Sequence, residues 1–373
     1  MVLKCIGLMS GTSMDGVDAA LMHTDGQNII EVIANSSLSY DTNFKKLLRK
    51  AEEDTRNARK NMASFEIIKE STEIHAKPVN ELITKIGINY QEVDLIGYHG
   101  QSLYHNPDAN ITVQIGNGQA LADMTKIPVI NDFRSQDIQN GGQGAPLAPI
   151  YHQALAKKIN IFPIAFINCG GIANVSLING PEEDQVTGFD TGPGNALIDL
   201  YVRQKTDNKE FMDLDGRYGK KGKVNYNILQ KLMDQLLKYI NTPPPKSLDP
   251  GNFSLIDDLY ELNINDGCAT LEAFTALSIA SSFKNLPKKL VLAGGGWNNP
   301  MILNFLKEYL SKKLSHFELN LATELGFSTT YMEAELFAYL AARSYYNLPI
   351  SFPKVTGCRK PTTGGTLYKP KTQ

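Results

Sequence analysis

The chain lacks most of the features that would assign it to a specialised class. Its four cysteines, Cys5, Cys169, Cys268 and Cys358, are scattered, with no C-x-x-C and no histidine-rich companion segment. That spacing suggests neither a disulfide framework nor a zinc site, and reduced, buried thiols in a cytosolic protein are the plain reading. No apolar run approaches the roughly 20 residues that span a bilayer, and the N-terminal run is too short for the core of a signal peptide. Charge of one sign is also missing: 37 Lys and Arg against 39 Asp and Glu leave a formal net charge of −2. Nucleic acid and anionic membrane are therefore disfavoured as main partners. There is no G-x-x-x-x-G-K-[ST], and no G-x-G-x-x-G opens a helix after the first strand. A Walker-type nucleotide site and a dinucleotide-binding Rossmann unit are set aside on those grounds.

What remains is an ordinary globular composition, 42% hydrophobic and 20% charged, over 373 residues. That length exceeds the usual single core, so two lobes are expected. "VLKCIGLM", the polar turn "SGTSMDG" and "VDAALMHTDG" read as strand, turn, strand. "PIAFINCGGIANVSLING" repeats that grammar, which suggests two lobes of related design. Residues 44–86 carry helical spacing, and "VDLIGYHGQSLYH" and "TVQIGNGQALADMTKIPVINDF" add strands, turns and a short helix. Such alternation indicates an α/β protein. Residues 226–240 and 269–284 read as helices, the second buried, with "NTPPPKSLDPGNF" as the loop between them. The Pro- and Gly-rich tail is expected to run back across the first lobe.

Three glycine-rich turns follow strands and expose backbone N–H groups suited to anions. In the first, Ser10, Thr12 and Ser13 offer hydroxyls to phosphate, and Asp15 and Asp18 offer carboxylates to magnesium; a plain hairpin turn is the competing reading. Gly294, Gly295 and Gly296 in "AGGGWNN" leave room for a flat ring such as adenine, or else serve strand–helix packing. Asp190, in "FDTGPGN", sits before a turn stiffened by Pro193, either as a general base held in one orientation or as a helix cap. "NDFRSQDIQNGGQGAPLAP" gathers Asp132, Arg134, Gln136, Asp137 and Gln143, groups that suit sugar hydroxyls and a ligand carboxylate. Of Glu333 and Glu335, on an apolar helix, one is expected to face solvent. The histidines, His99 and His105 included, show no pairing with a nucleophile.

Taken in order, "GLMSGTSMDGVDAAL", "YHGQSLYH", "QIGNGQALA", "NDFRSQDIQNGGQGAPLAP", "NCGGIANVSL", "GFDTGPGNALID", "AGGGWNNP" and "VTGCRKP" resemble the anhydro-N-acetylmuramic acid kinases from residue 6 to about 370. The resemblance implies the two-lobed sugar kinase, Hsp70 and actin fold (ribonuclease H-like), with ATP in a cleft between lobes. It places the first lobe at 1–133, completed by about 345–373, and the second at 134–344. It further implies ATP-dependent opening of 1,6-anhydro-N-acetylmuramic acid by water and phosphorylation of O6. The products are N-acetylmuramic acid 6-phosphate and ADP, in cytoplasmic peptidoglycan recycling. Asp190 carries over as the catalytic residue. Gly11, Thr12, Ser13, Met14, Asp15, Gly16, Val17 and Asp18 carry over as the phosphate loop, joined by Gly170, Gly171 and Gly294 to Gly296. Arg134, Asp132, Gln143 and Glu333 are the substrate candidates, and Asp15, Asp18 and Glu333 the Mg2+ candidates. The partner implied is a small anhydro-amino sugar, and a homodimer is common in the family. Departures are "KSLDPGNF" where relatives often read "KSTGRE", Cys169 for an aliphatic residue, and Trp297 beside the adenine candidate. A kinase of another 1,6-anhydrosugar, such as levoglucosan, and a non-catalytic ATP-binding regulator are the competing readings.

Overall fold

A computed structural model describes residues 1–11, 13–248, 253–283 and 285–371. Its contacts divide the chain into two units. One comprises Met1–Ile161, Pro181–Val186 and Tyr331–Gln373; the other comprises Phe162–Gly180 and Thr187–Thr330.

In the first unit the opening apolar runs form β1 (Leu3–Ser10), β2 (Gly16–Thr24) and β3 (Ile30–Ser39), an antiparallel meander in which buried side chains dominate β1 and β2. Helices α1 (Thr42–Ala58) and α2 (Phe65–Ile86) follow. Asp41 caps α1 by accepting the amides of Asn43 and Phe44, satisfying donors that the first turn leaves free. β4 (Leu95–Asn106) then pairs parallel to β1, and β5 (Ile111–Ile115) pairs back on β4. After α3 (Gly118–Thr125), β6 (Val129–Asn131) pairs parallel to β4. The chain continues through α4 (Ser135–Gln139) and α5 (Ala148–Ile159), returning later as α11 (Met332–Tyr345) and α12 (Pro353–Thr356). The tail strand β12 (Thr366–Tyr368) pairs antiparallel with β6, as the sequence led us to expect.

The second unit repeats the plan. Its sheet runs β11 (Glu318–Leu321), β10 (Lys289–Ala293), β7 (Ile164–Cys169), β8 (Ile172–Ile178), β9 (Val186–Pro193). The first sheet runs β12-β6-β4-β1-β2-β3, so each unit has an antiparallel hairpin at its centre, a third strand beyond it, and two parallel strands on the other side. This repeat is the two-lobed α/β architecture that the paired hairpins foreshadowed. Its helices are α6 (Ala196–Lys205), α7 (Tyr226–Asn241), α8 (Asp257–Tyr260), α9 (Ile264–Ser281) and α10 (Pro300–Ser311). α9 is buried along most of its length, and its apolar side chains join those of β7, β10 and α10 in one core.

The units do not divide at residues 133 and 344. α11 carries Ala334, Ala338 and Ala341 against the first sheet, where a Cβ on Gly7 would lie 1.9 Å from the Ala334 carbonyl oxygen, and one on Gly97 2.0 Å from that of Phe337. Bare backbone on both strands lets the helix seat directly on β1 and β4. α5 in turn packs on α11 and β3, so both helices belong with the first unit.

Candidate active site

β1 ends at Ser10, whose hydroxyl oxygen lies 2.5 Å from Gln101 Oε1, 2.7 Å from Tyr40 OH and 2.9 Å from the Gly16 carbonyl. Ser10 is buried, so it locks the two ends of the turn instead of meeting a phosphate as its sequence position suggested. Gln101 Nε2 donates to the Gly11 carbonyl at 2.8 Å, and Met14 N donates to the same oxygen at 3.1 Å. Met14, at φ 58°, and Val17 both bury their side chains in the core. A Cβ on Gly16 would lie 2.2 Å from the Leu38 carbonyl oxygen. These three residues therefore shape the turn and leave only backbone for a ligand. Gly11 and Ser13 stay open to solvent, and Thr12 lies outside the described residues.

The carboxylates of this turn diverge. Asp15 turns outward, its side chain 79% exposed and 3.5 Å from Lys45 Nζ. Asp18 points inward along β2, and burial raises its pKa to about 6. Glu333, at the start of α11, keeps access to water but is hemmed in by protein. Lost hydration raises its pKa, Arg134 opposes that rise, and the Asp18 charge adds to it. Glu333 thus feels the charges of both Arg134 and Asp18 within the first unit. Glu335 is the interior member of the acidic pair and accepts a hydrogen bond from Tyr151 OH at 2.8 Å.

Arg134 is held by two acceptors: its Nε donates to His99 Nε2 at 3.0 Å, and Nη1 donates to the Gly144 carbonyl at 2.7 Å. Burial lowers its pKa to about 10, with Glu333 and Asp137 acting the other way. It remains a cation at neutral pH. His99 lies within β4 and not at a turn edge, and its Nδ1–H faces the Gly100 carbonyl at 2.9 Å, which leaves Nε2 to accept. Burial and the Arg134 charge keep it neutral, well below the usual histidine range. The polar loop after Arg134 is organised by buried Asp137, which accepts from Gly144 N, Ser351 Oγ and Thr356 Oγ1 at 2.5–2.7 Å. Gln143 donates its amide to the Thr356 carbonyl, while its buried Oε1 has no hydrogen-bond partner. Asp132, at φ 66°, accepts the amide and hydroxyl of Ser135 at 3.3 and 2.6 Å. It thereby serves the start of α4.

In the second unit Asp190 lies on β9. Its Oδ2 accepts the Leu248 amide at 2.7 Å, its own amide donates to the Lys246 carbonyl at 3.1 Å, and Tyr239 OH donates to its carbonyl at 3.0 Å. The carboxyl keeps partial access to solvent. Lost hydration still raises its pKa to about 7, against the lowering pull of the Leu248 amide and the Lys246 charge. Near neutrality such a group both takes and releases a proton readily. It does not cap α6, which starts after Asn195, so the capping alternative is excluded.

The turn that follows Asp190 docks on the Gly170-Gly171 turn. Asn195 N donates to Gly170 O at 2.7 Å, and Gly194 N to Gly171 O at 2.9 Å. Neither Gly170 nor Gly171 is crowded, each having nothing nearer than 3.7 Å to a built Cβ. The triple glycine is mixed. A Cβ on Gly294 (φ 91°) would meet Asn168 Oδ1 at 2.4 Å, and one on Gly296 would meet Cys169 Sγ at 2.4 Å, so both serve packing. Gly295 has open space and is exposed. Trp297 lies in the core with Nε1 donating to the Ile167 carbonyl at 3.1 Å, which accounts for its burial.

Residues that sequence reasoning passed over are Lys246, Leu248, Tyr239 and His99. The first two stand in the atypical "KSLDPGNF" stretch, whose residues 249–252 lie outside the described residues. Only the adjacency of a lysine to a proline-rich loop signalled them. Among the described residues no group of three or more His, Cys, Asp or Glu side chains could hold a metal ion, and no helix is long and apolar enough to cross a membrane.

The family model for anhydro-N-acetylmuramic acid kinase matches residues 3–370. An anhydro-N-acetylmuramic acid kinase of Zymomonas mobilis subsp. mobilis is 42% identical over 380 residues, covering 98% of this chain and all of its own. One of Nitrobacter winogradskyi is 38% identical over 377 residues, covering 99% and 100%. Among solved structures, component A of the Acidaminococcus fermentans (R)-2-hydroxyglutaryl-CoA dehydratase aligns with a TM-score of 0.48 at 14% identity, covering 92% of this chain and 99% of its own. With the repeated sheet topology, the "DTGPGN" turn and full-length matches at this identity on the page, the chain belongs to the anhydro-N-acetylmuramic acid kinase family.

Proposed function

We propose that this kinase opens the 1,6-anhydro bridge of 1,6-anhydro-N-acetylmuramic acid with water and phosphorylates O6, with Asp190 as the general base. Water adds to the anomeric carbon as its proton passes to Asp190, the bond from that carbon to O6 breaks, and O6 takes the γ-phosphoryl group of ATP, releasing ADP. The observation that carries this reading is the mounting of Asp190: fixed by the Leu248 amide and strand backbone, with a pKa near 7. A carboxyl in that range is about half ionised near neutral pH and strong enough a base to accept the proton.

Arg134, bound to neutral His99, offers a positive group to the carboxylate of the substrate's lactyl ether, and Gln143 Oε1 is an acceptor seeking a donor such as a sugar hydroxyl. Gly11 and Ser13 offer unobstructed backbone to phosphate oxygens, and Gly295 offers a flat surface to the nucleotide base. Burial raises the pKa of Asp18, and lost hydration with the Asp18 charge raises that of Glu333, a cost of ionisation that a divalent cation would relieve. Asp18 and Glu333 would help to hold a magnesium ion bound mainly by phosphates and water. When bound, Mg2+ supplies charge neutralisation at the transferring phosphoryl group. Asp15 is left to its lysine partner. We place the reaction in the cytoplasm, where ATP and recycled peptidoglycan fragments meet.

Asp190→Asn keeps the shape of the side chain and removes its basicity. It is expected to lose turnover by about 10²-fold or more while retaining ATP binding by calorimetry. A variant as active as the parent would sink the base assignment.

A further inference from the structure

The loop after α7 carries three contacts to the strand that bears Asp190, and none follows from the family's phosphate or sugar motifs. Lys246 is 5% exposed, an unusual position for a lysine. Its Nζ donates to the Tyr239 and Ile240 carbonyls at 2.9 and 3.1 Å, at the C-terminal end of α7, where the helix dipole favours a cation. It also lies 4.6 Å from the centre of the Tyr239 ring and 5.6 Å from that of Phe189, the residue before Asp190. The Lys246 carbonyl accepts the Asp190 amide, and two residues on the Leu248 amide donates to Asp190 Oδ2. The loop is therefore laced to the acid at backbone and carboxylate, with a buried cation behind it.

We propose that residues 246–248 form a positioning strap for the general base, in which Lys246 supplies the charge and Leu248 N–H the orientation that keep Asp190 ionised and aimed. The strap acts through Asp190, which both of its hydrogen bonds reach. This inference rests on the reading of Asp190 as the base. The titratable groups packed against Asp190 in this unit are Lys246 from the loop and Tyr239 from α7. Tyr239 stays protonated through the working range, since burial and the Asp190 charge raise its pKa. Lys246 is therefore the charge whose loss Asp190 registers.

The test is the pH dependence of kcat for Lys246→Met, Leu248→Pro and the wild type, with Asp190→Asn alongside and ATP affinity measured by calorimetry. Lys246→Met removes the charge and keeps about the length; Leu248→Pro removes the N–H that Asp190 accepts, at a half-buried position outside helix and strand, and exchanges the side chain with it. Each is expected to lower kcat and to move the acidic limb of the profile to higher pH by about 0.5–1 unit, with ATP affinity unchanged. Should Lys246→Met fail to fold, Leu248→Pro decides alone. A folded variant whose kcat falls with the limb in place has lost only structural support, and that result overturns the strap. If Asp190→Asn is active, the base reading fails as well; if it is inactive and the limbs stay put, the strap alone fails.

Discussion

Gly194→Ala tests the mounting of Asp190 through the turn that follows it. A Cβ at this position would lie 2.1 Å from the Gly170 carbonyl oxygen and 3.3 Å from Ala173 N. Carbon and carbonyl oxygen rest no closer than about 3.2 Å, so the turn carrying Asp190 must retreat by about 1 Å from the glycine turn. The backbone bonds Asn195 N to Gly170 O, at 2.7 Å, and Gly194 N to Gly171 O, at 2.9 Å, stretch in consequence. Two neutral hydrogen bonds contribute about 1 kcal/mol each, so the second unit loses about 2 kcal/mol. For a unit of this size that corresponds to a fall of about 4–8 °C in Tm. The displacement reaches Asp190 four residues earlier, and a misplacement of about 1 Å costs about 10²-fold in kcat. Scanning calorimetry and steady-state kinetics read the two effects together. A variant with parental Tm and kcat would show that the docked turn does not hold the acid, and the argument from geometry would fail.

Gly295→Ala makes the converse test, since a Cβ there meets nothing within 4 Å. Tm is expected to stay where it is while KM for ATP rises, and an unchanged KM would remove Gly295 from the nucleotide contacts. Glu272 bears on stability. It is fully buried, Oε1 accepts from Asn299 Nδ2 at 2.7 Å, and burial raises its pKa from 4.5 to about 9, with neighbouring Asp213 adding to the rise. The folded state keeps a proton that the unfolded state releases, so this contribution is complete below pH 4.5 and drains away as pH climbs towards 9, by up to about 1.4 kcal/mol per pH unit. Glu272→Gln is expected to flatten the decline of the urea midpoint between pH 5 and 9, and parallel profiles for variant and parent would refute the assignment.

The sequence made the two-lobed repeat legible because strands next to glycine turns announce themselves in local composition. The tight turn after Asp190 was legible for a related reason: Gly192, Pro193 and Gly194 mark a backbone built to one shape. The unit boundaries were not, because α11 belongs to the first sheet through the bare backbone of Gly7 and Gly97, a long-range fit that no local pattern encodes. Nor was the split within glycine turns, where Gly294 and Gly296 serve packing and Gly295 alone is open. Ser10 looked like a phosphate donor until Gln101, ninety-one residues away, was seen to claim it. The roles of Lys246 and His99 were not legible for the same reason, since each has meaning only through a partner distant in sequence, Asp190 and Arg134.

The most direct measurement supplies ATP, magnesium and 1,6-anhydro-N-acetylmuramic acid in 18O water and locates the label after a short incubation, with preformed product as the control for spontaneous exchange. Solvent oxygen is expected on the anomeric hydroxyl of the 6-phosphorylated sugar and nowhere on the phosphoryl group, with no product from Asp190→Asn. Label on the phosphate, or an unlabelled anomeric centre, would contradict a water molecule steered by that carboxylate.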